Sequence, residues 1–253
     1  MMDEVYFYPH RSSNWVKFIS WTNPNKLLFI PRAEELSQIL NSSINDAKIN
    51  SSKLEQVDLD REGFSGLQFR HFMNNLGSRI SDNIYLEIGV YRGSTLLSTI
   101  KDNNLVAVAI DSWDENYHLP QISRAKSLFM ESLATYSGSS KVNVINNNCW
   151  NVSNDDILTL LNGRKVVTYF FDGNHEIYDH YMALLHYLPV LDSTFIFIVD
   201  DWNWERTKIG TYSAIATLYL DIIMKVEVES PKNDPSTLWH NGMAAFVLQR
   251  KFR

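Results

Sequence analysis

From residue 84 onward, short apolar runs alternate with longer segments in which apolar and polar positions are mixed. The runs are continuous, which is typical of strands that are buried on both faces of a sheet. Enough residues separate neighbouring runs for a crossover helix, so the pattern predicts parallel strands with helices on both faces. The predicted parallel strands are Ile84–Ile88, Leu105–Ile110, Val142–Ile145, Val166–Phe171 and Phe195–Val199.

Two later apolar runs, Met224–Glu229 and Met243–Gln249, are predicted to pair with each other in a different way. The segment that joins them contains Pro231, Pro235 and Gly242 and is too short for a crossover helix. We therefore expect an antiparallel hairpin at the edge of the sheet. The predicted fold class is α/β: a Rossmann-like, mostly parallel seven-stranded sheet with helices on both faces and an antiparallel C-terminal hairpin.

The part of the chain before this pattern is less regular. Arg32–Leu40 is predicted to be a short helix, and Asn41–Asp60 is polar enough to be a loop, linker or mobile flap. Phe64–Leu76 has helical spacing, and Gly77 is expected to stop that helix. We therefore divide the chain into an N-terminal helical or irregular extension, residues 1–80, and a ligand-binding domain, residues 81–253.

Composition narrows the classes of function. The chain has 253 residues, 45% of them hydrophobic, and a formal net charge of -6, which argues against a nucleic-acid-binding protein. Cys149 is the one cysteine, so an internal disulfide is excluded. The sequence has neither an apolar run of membrane-spanning length nor a secretory signal pattern, so we expect a cytoplasmic protein that does not bind membranes.

The residues that follow the first predicted parallel strand have the composition of a ligand-binding loop. Ligands of open α/β sheets bind at the carboxyl ends of the strands. Glu87 lies near the end of the strand, and Gly89 and Gly93 allow the turn to approach a ligand closely. Ser94 or Thr95 is placed to cap the next helix. The loop differs from the pyrophosphate-binding glycine fingerprint, and an ordinary strand–turn–helix connection explains it equally well.

Polar residues also follow the next two predicted strands. Asp111 is placed to accept hydrogen bonds from the hydroxyl groups of a ribose, although a helix-capping acid would look the same. Trp113 is a candidate for packing on an adenine ring, or simply for the core. An amide in the run that contains Asn148 is a candidate for the adenine edge, although turn chemistry explains such a run equally well.

The strongest group of candidate residues follows the fourth and fifth parallel strands. Asp172 comes directly after one strand, and Asp200 and Asp201 come at the end of the next. Carboxylates held together raise one another's pKa, and a hard divalent cation such as Mg²⁺ relieves the repulsion. The alternative is that one acid caps a helix, a second is solvated, and no metal binds. His175 lies three residues after Asp172 and is a candidate general base.

Together these segments resemble class I S-adenosylmethionine-dependent methyltransferases, which also share the layout of five parallel units and a terminal hairpin. The FDGNH segment at 171–175 and the VDDW segment at 199–202 resemble elements of the metal-dependent sugar O-methyltransferases of macrolide and aminocoumarin pathways. The resemblance covers about residues 62 to 250, and Glu62-Gly63 matches an acid–glycine element that precedes the glycine loop. Ile177, where that family has an aromatic residue, and Met182-Ala183, where it often has an acid, are departures on the acceptor side.

The resemblance implies that Asp172, Asp200 and Asp201 bind a divalent metal, Mg²⁺ or another hard cation. It also implies that Glu87, Gly89 and Asp111 hold S-adenosylmethionine. His175 is predicted as the general base, with Asp172 as the other catalytic candidate. The full set of predicted cofactor-binding residues is Glu87, Gly89, Tyr91, Gly93, Ser94, Asp111, Ser112, Trp113, Asn148, Cys149 and Asp172.

The predicted function is metal-assisted methyl transfer to a hydroxyl group of a sugar or another vicinal diol, with a small-molecule acceptor such as a glycoside. Trp202 and Trp204, and a second pair, Trp239 and His240, are candidate walls of the acceptor site. A metal-independent methyltransferase and a non-catalytic relative that binds the cofactor are the alternatives. The sequence also leaves open whether the chain forms a homo-oligomer.

Overall fold

The computed structural model describes residues 16–20, for the backbone alone, and residues 31–114, 122–136, 138–230 and 238–251. Its strands are β1 (Val16–Ser20), β2 (Ile84–Ile88), β3 (Val106–Asp111), β4 (Lys141–Asn146), β5 (Val166–Phe171), β6 (Leu191–Asp200), β7 (Asp221–Val228) and β8 (Met243–Gln249). Its α-helices are α1 (Pro31–Lys48), α2 (Gln56–Leu59), α3 (Leu67–Arg79), α4 (Ser94–Ile100), α5 (Ile122–Ala134), α6 (Asn154–Leu160), α7 (Ile177–Tyr187) and α8 (Glu205–Thr217).

All seven predicted strands are present in one sheet, whose order is β1-β7-β8-β6-β5-β2-β3-β4. Strands β2 to β6 pair in parallel, and β8 lies between β6 and β7, antiparallel to both. The predicted α/β fold with an antiparallel C-terminal pair is therefore confirmed. An eighth strand, β1, pairs antiparallel with β7, so that β1 occupies the edge of the sheet that the prediction gave to the hairpin.

Each face of the sheet is covered by its own apolar core. Helices α1, α3 and α4 supply buried residues to one core, represented by Leu40, Phe72 and Leu97, and α7 and α8 supply the other, represented by Leu184 and Ala214. The central strands are buried throughout, as continuous apolar runs predict. Among the described residues, no helix is both long enough and apolar enough to cross a membrane.

The prediction of a loop over Asn41–Asp60 is wrong for its first part. Helix α1 continues to Lys48, and Ile44 and Ala47 are completely buried. Beyond that helix, the backbone N–H of Lys53 donates to Asn74 Oδ1 over 3.0 Å, and Asn75 Nδ2 donates to the carbonyl of Ser51 over 2.8 Å. These contacts hold the segment against α3.

Helix α3 also differs from its prediction. It begins at Leu67 instead of Phe64, and it continues through Gly77 to Arg79. A Cβ at position 77 would lie 2.5 Å from the carbonyl oxygen of Thr99. Gly77 therefore serves the close packing of α3 against α4, and it does not end the helix.

Candidate active site

The carboxyl ends of β2 and β5 lie next to each other at the centre of the sheet, where the order of the strands reverses. From β2 the chain continues outward through β3 and β4, and then returns to place β5 on the other side of β2. Ligands of doubly wound sheets bind at such a switch point. The glycine loop that follows β2 and Asp172, which follows β5, therefore lie side by side.

Gly89 brings these two segments into direct contact. Its φ is +85°, and a Cβ on it would lie 1.8 Å from the carbonyl oxygen of Asp172. The loop continues through Tyr91, with φ of 50°, to Gly93, with φ of +78°, which packs against the ring of Phe129. Both predicted glycines are thus required by the backbone, because a side chain is excluded at each.

Asp111 supports the glycine loop from the end of β3. Its Oδ2 accepts hydrogen bonds from the backbone N–H groups of Val90, at 2.8 Å, and Tyr91, at 2.7 Å. Its Oδ1 accepts one from the N–H of Trp113 at 2.7 Å. Because each carboxylate oxygen accepts more than one hydrogen bond, these contacts are compatible with the predicted contact to a ribose.

The two residues after Asp111 have local contacts. Trp113 is 7% exposed, stacks on Phe129 with ring centroids 5.9 Å apart, and donates from Nε1 to the carbonyl of Tyr91. Its indole therefore packs in the core behind the glycine loop. Ser112 Oγ accepts a hydrogen bond from the N–H of Asp114 at 3.3 Å.

Asn148 and Cys149 form a turn at the end of β4. Asn148 Oδ1 accepts a hydrogen bond from the N–H of Trp150 at 3.0 Å and caps a short 3₁₀ turn over Cys149–Asn151. Cys149 is half-buried, and burial raises the pKa of its thiol to about 12. The thiol is therefore protonated at neutral pH and suits packing better than nucleophilic chemistry.

Glu87 is a buried acid at the end of β2. It is 1% exposed and accepts a hydrogen bond from the hydroxyl of Tyr85, two residues earlier on the same face of the strand. Burial raises the pKa of Glu87 to about 8, and the charge of Asp111 acts in the same direction. A cationic group placed beside Glu87 would favour its ionised form.

The acid–glycine element before α3 packs on the start of α4. A Cβ on Gly63 would lie 2.0 Å from Ser94 Oγ, and Glu62 forms an ion pair with Arg92. Ser94 Oγ is 2.9 Å from Ser65 Oγ, and Gly93 occupies the N-cap position that the sequence suggested for Ser94. This segment of the extension therefore forms one wall beside the glycine loop.

The acidic group predicted at the ends of β5 and β6 is present, with one change in membership. Among the described residues, Asp172, His175 and Asp201 each offer one ligand atom, and these atoms lie within 4.8 Å of one another. Asp200 was predicted as a member but lies outside this compact group. It is 6% exposed, and burial raises its pKa, with further contributions from Asp172 and Asp201.

Two of the three groups have atoms that are buried without a partner. His175 Nε2 lies 3.1 Å from Asp201 Oδ2. Within the described residues, His175 Nδ1 and Asp201 Oδ1 have no hydrogen-bond partner. Burial and the charge of Asp201 raise the pKa of Asp172. Unpartnered buried polar atoms are rare in native proteins, so this arrangement fits the binding of a cation or a polar substrate.

Burial lowers the pKa of His175, and this effect outweighs the opposing charge of Asp201. Trp204 contacts the ring edge-on, with centroids 4.9 Å apart, and covers one side of it. Trp202, predicted as a wall of the acceptor site, is instead 1% exposed and packs against Tyr212 and Phe246. Of that pair, Trp204 alone lies beside the group of acids and imidazole.

His180 is a buried residue of this region that the sequence did not single out. It is completely buried on α7, and its ring centroid lies 6.2 Å from that of His175. Within the described residues both of its ring nitrogens lack a partner, and burial lowers its pKa to about 3. The sequence does not reveal that His180 is buried without partners, because the residues that surround its ring come from α8 and β5, which are distant from it in sequence or lie on another element.

Three comparisons with known proteins bear on this site. The profile of a family described as a methyltransferase domain matches residues 86–202. No curated protein matches the chain in sequence. The crystal structure of the O-methyltransferase TomG from Streptomyces achromogenes, involved in tomaymycin synthesis and solved with S-adenosylmethionine, is 14% identical. Its alignment covers 84% of this chain and 90% of that chain, with a TM-score of 0.48.

Two further solved structures have similar values. The O-methyltransferase from Bacillus cereus, in complex with S-adenosylhomocysteine, is 12% identical over 87% of this chain and 98% of that chain, with a TM-score of 0.46. The S-adenosylhomocysteine-bound methyltransferase PaMTH1 from Podospora anserina is 12% identical over 92% and 100%, with a TM-score of 0.44.

The family match begins in β2 and ends at Trp202, so it contains the glycine loop, Asp111 and the acids of β5 and β6. The sheet that carries these residues has five parallel strands and an antiparallel C-terminal pair, as the sequence predicted. Over residues 86–202, the chain is therefore similar in sequence to a family that is described as a methyltransferase domain.

Proposed function

We propose that the protein transfers the methyl group of S-adenosylmethionine to a hydroxyl group, with the help of a divalent cation. The observation that carries this proposal is the compact group of Asp172, His175 and Asp201 beside the glycine loop. Hydroxyl groups are poor nucleophiles at neutral pH, and this group offers the two functions that activate them: a cation site and a base.

The residues present fit a hard cation. Asp172 and Asp201 have converging carboxylates, and the unpartnered Oδ1 of Asp201 is available as a ligand atom. Asp200 is proposed as the third ligand, from its position at the end of β6 and its electrostatic interaction with both acids. A bound cation of this kind lowers the pKa of a hydroxyl and fixes its orientation, usually through two adjacent substrate oxygens.

His175 is proposed as the base. In the tautomer that carries hydrogen on Nε2, the ring donates to Asp201 Oδ2 across 3.1 Å, and Nδ1 remains free to accept a proton. The lowered pKa keeps the ring neutral, and therefore able to accept a proton, at physiological pH. Asp201 would then orient the ring, as the aspartate of a catalytic triad does. It would also contribute to the cation site.

The acceptor is proposed to be a small molecule with two adjacent hydroxyl groups, such as a sugar. This choice rests on the resemblance of the FDGNH and VDDW segments and on the geometry that a chelating acceptor requires. Metal-independent transfer and cofactor binding without catalysis are the competing possibilities.

Calorimetric titration with S-adenosylmethionine, and then with Mg²⁺ or Mn²⁺, tests the proposal on the wild type and on His175→Gln, Asp201→Asn and Asp155→Asn. Asp155 is an exposed acid on α6 and serves as the matched control. We expect cofactor binding in every variant and a loss of cation affinity of about ten-fold or more in Asp201→Asn, which corresponds to about 1.4 kcal/mol.

Release of S-adenosylhomocysteine in the presence of catechol or a methyl glycoside then measures turnover. We expect His175→Gln to lower kcat by about 100-fold or more, the usual contribution of a general base, with little change in cofactor affinity. Turnover that survives a chelator would contradict the role of the cation. Cofactor binding without methyl transfer to any diol would favour the non-catalytic alternative.

A further inference from the structure

Three rings from separate segments of the chain meet beside the glycine loop. Phe64 stacks on Tyr91, with centroids 5.1 Å apart and planes inclined by 25°, and its centroid lies 6.2 Å from that of His240. Phe64 belongs to the segment before α3, Tyr91 to the glycine loop and His240 to the connection between β7 and β8. We name this group the ring cluster.

The order of the strands shows where the ring cluster lies. Tyr91 follows β2 and His240 precedes β8, and in the sheet these two strands are separated by β5 and β6. With about 4.8 Å between neighbouring strands, the two loops start roughly 14 Å apart. Phe64 bridges them, so the ring cluster runs along the edge at which β5 and β6 deliver Asp172 and Asp201.

The backbone on both sides of this edge is fixed. Asn203, two residues after Asp201, donates its backbone N–H to the carbonyl of Asn241 over 2.9 Å. Tyr91 and His240 have φ of 50° and 43°, a conformation that large side chains adopt rarely and that concentrates at functional sites. The His240 loop is therefore tied directly to the Asp201 loop.

The segment that carries Phe64 is equally well held. The buried guanidinium of Arg70 donates to the carbonyl oxygens of Leu59, Arg61 and Ser65. A Cβ on Gly66 would lie 2.3 Å from the carbonyl oxygen of Leu238. Although its backbone is clamped in this way, the ring of Phe64 remains 43% exposed. A half-exposed aromatic ring on a well-held backbone is the kind of surface that binds a flat ligand.

We propose that the ring cluster is the acceptor-binding wall, and that it selects a ring-shaped acceptor with two adjacent hydroxyl groups. The apolar face of the acceptor ring packs on Phe64 and His240, while its hydroxyl groups reach the acids at the ends of β5 and β6. This inference rests on the proposed function and adds to it the shape and polarity of the substrate. Aryl diols and sugars share this chemistry, since each has an apolar ring face and a polar edge.

Binding of two probes, catechol and methyl α-mannopyranoside, tests the proposal without requiring turnover. Each is titrated by calorimetry into protein saturated with S-adenosylhomocysteine and Mg²⁺, for the wild type, Phe64→Leu, His240→Leu and Tyr219→Leu. Leucine keeps an apolar side chain but removes the flat ring. Tyr219 is the control, because it is 67% exposed and precedes β7, so that it lies at the end of the strands opposite to the site.

We expect the wild type to bind at least one probe and both wall variants to bind it about ten-fold more weakly or worse, with cofactor affinity and Tyr219→Leu unchanged. Which probe binds decides between an aryl diol and a sugar. Equal affinity in the wild type and the wall variants would overturn the proposal, and so would a wild type that binds neither diol. Unchanged turnover in His175→Gln, with intact probe binding in the wild type, would overturn the proposed function alone, so the two failures are distinguishable.

Discussion

Single residues of this site serve the backbone and the chemistry together. The carbonyl oxygen of Asp172 packs on Gly89, while its carboxylate faces His175 and Asp201. Asp111 holds the glycine loop through two backbone N–H groups and keeps acceptor capacity for a ligand. A change at such a residue alters the position of a neighbouring segment as well as a functional group.

Gly89→Ala tests the contact between the glycine loop and β5. Gly89 and Gly163 both have positive φ, but within the described residues a Cβ on Gly163 would meet nothing within 4 Å. We therefore expect Gly163→Ala to cost about 1 kcal/mol from backbone strain. Gly89→Ala should cost at least about 3 kcal/mol and weaken cofactor binding, because the loop must move away from Asp172. Urea denaturation of both variants measures the difference, and equal costs would contradict the close contact.

Glu87→Gln tests the protonation of the buried acid. The folded state raises the pKa of Glu87 from 4.5 to about 8, so between these pH values the folded protein holds a proton that the unfolded chain has released. The stability contributed by the protonated carboxyl is therefore complete below pH 4.5 and is lost as the pH rises towards 8. We expect wild-type stability to fall over this range, by about 1.4 kcal/mol for each unit of pKa shift, and Glu87→Gln to lack that component.

Denaturation curves of both proteins at a series of pH values provide the measurement. A parallel pH dependence in the wild type and in Glu87→Gln would show that Glu87 is ionised in the folded protein. If the positive charge of S-adenosylmethionine lies beside Glu87, as the resemblance implies, the same shift predicts that binding releases a proton near pH 7, because that charge favours the ionised form of Glu87. Calorimetry in buffers with different ionisation enthalpies detects such a proton.

At the scale of elements, the helices before β2 are part of the body of the domain. Helices α1 and α3 contribute Ile44, Leu40 and Phe72 to the core on one face of the sheet. The buried amides of Asn74 and Asn103 bridge α3 and the end of α4. The segment 60–66, which follows α2, reaches the glycine loop through Phe64 and the start of α4 through Ser65. The extension therefore shapes the site as well as the core.

Ile44→Ala tests whether the end of α1 is packed. Removing a fully buried aliphatic side chain costs about 2–5 kcal/mol, through lost burial and the cavity that remains. Ser42→Ala, two residues away on the exposed face of the same helix, should change stability by less than about 0.5 kcal/mol. Urea denaturation compares the two variants. A small effect of Ile44→Ala would restore the sequence-based prediction of a mobile segment.

For the molecule as a whole, the acids at the ends of β5 and β6 lower the stability of the folded protein when no cation is bound, because their charges repel one another. Asp201 has a positive φ of 52°, which asparagine tolerates well, and its charge raises the pKa of Asp172 and Asp200. Neutralising one of several close acids relieves repulsion when no cation is present.

We therefore expect Asp201→Asn to raise the thermal midpoint of the protein in chelator, and Mg²⁺ to raise the midpoint of the wild type but not that of the variant. Differential scanning calorimetry with and without Mg²⁺ measures both effects. An Asp201→Asn protein that is less stable than the wild type in chelator would indicate that the hydrogen bond to His175 outweighs the repulsion.

The central sheet can be predicted from the local pattern of apolar and polar residues. Val166–Phe171 and Met243–Gln249 were predicted to the residue, because continuous apolar runs bounded by polar residues mark strands that are buried on both faces. The positions of Gly89, Asp111, Asp172 and Asp201 at strand ends follow from the same pattern, since parallel strands deliver their carboxyl ends to one edge.

Which side chains meet in the site depends on how distant segments of the chain pack together. The sequence grouped Asp200 with Asp172 and Asp201, but His175, from the loop that follows β5, is the residue that completes the compact group. It also gave no sign that Phe64 and His240 would touch. Contacts between distant segments depend on strand order and helix packing, and local spacing carries neither.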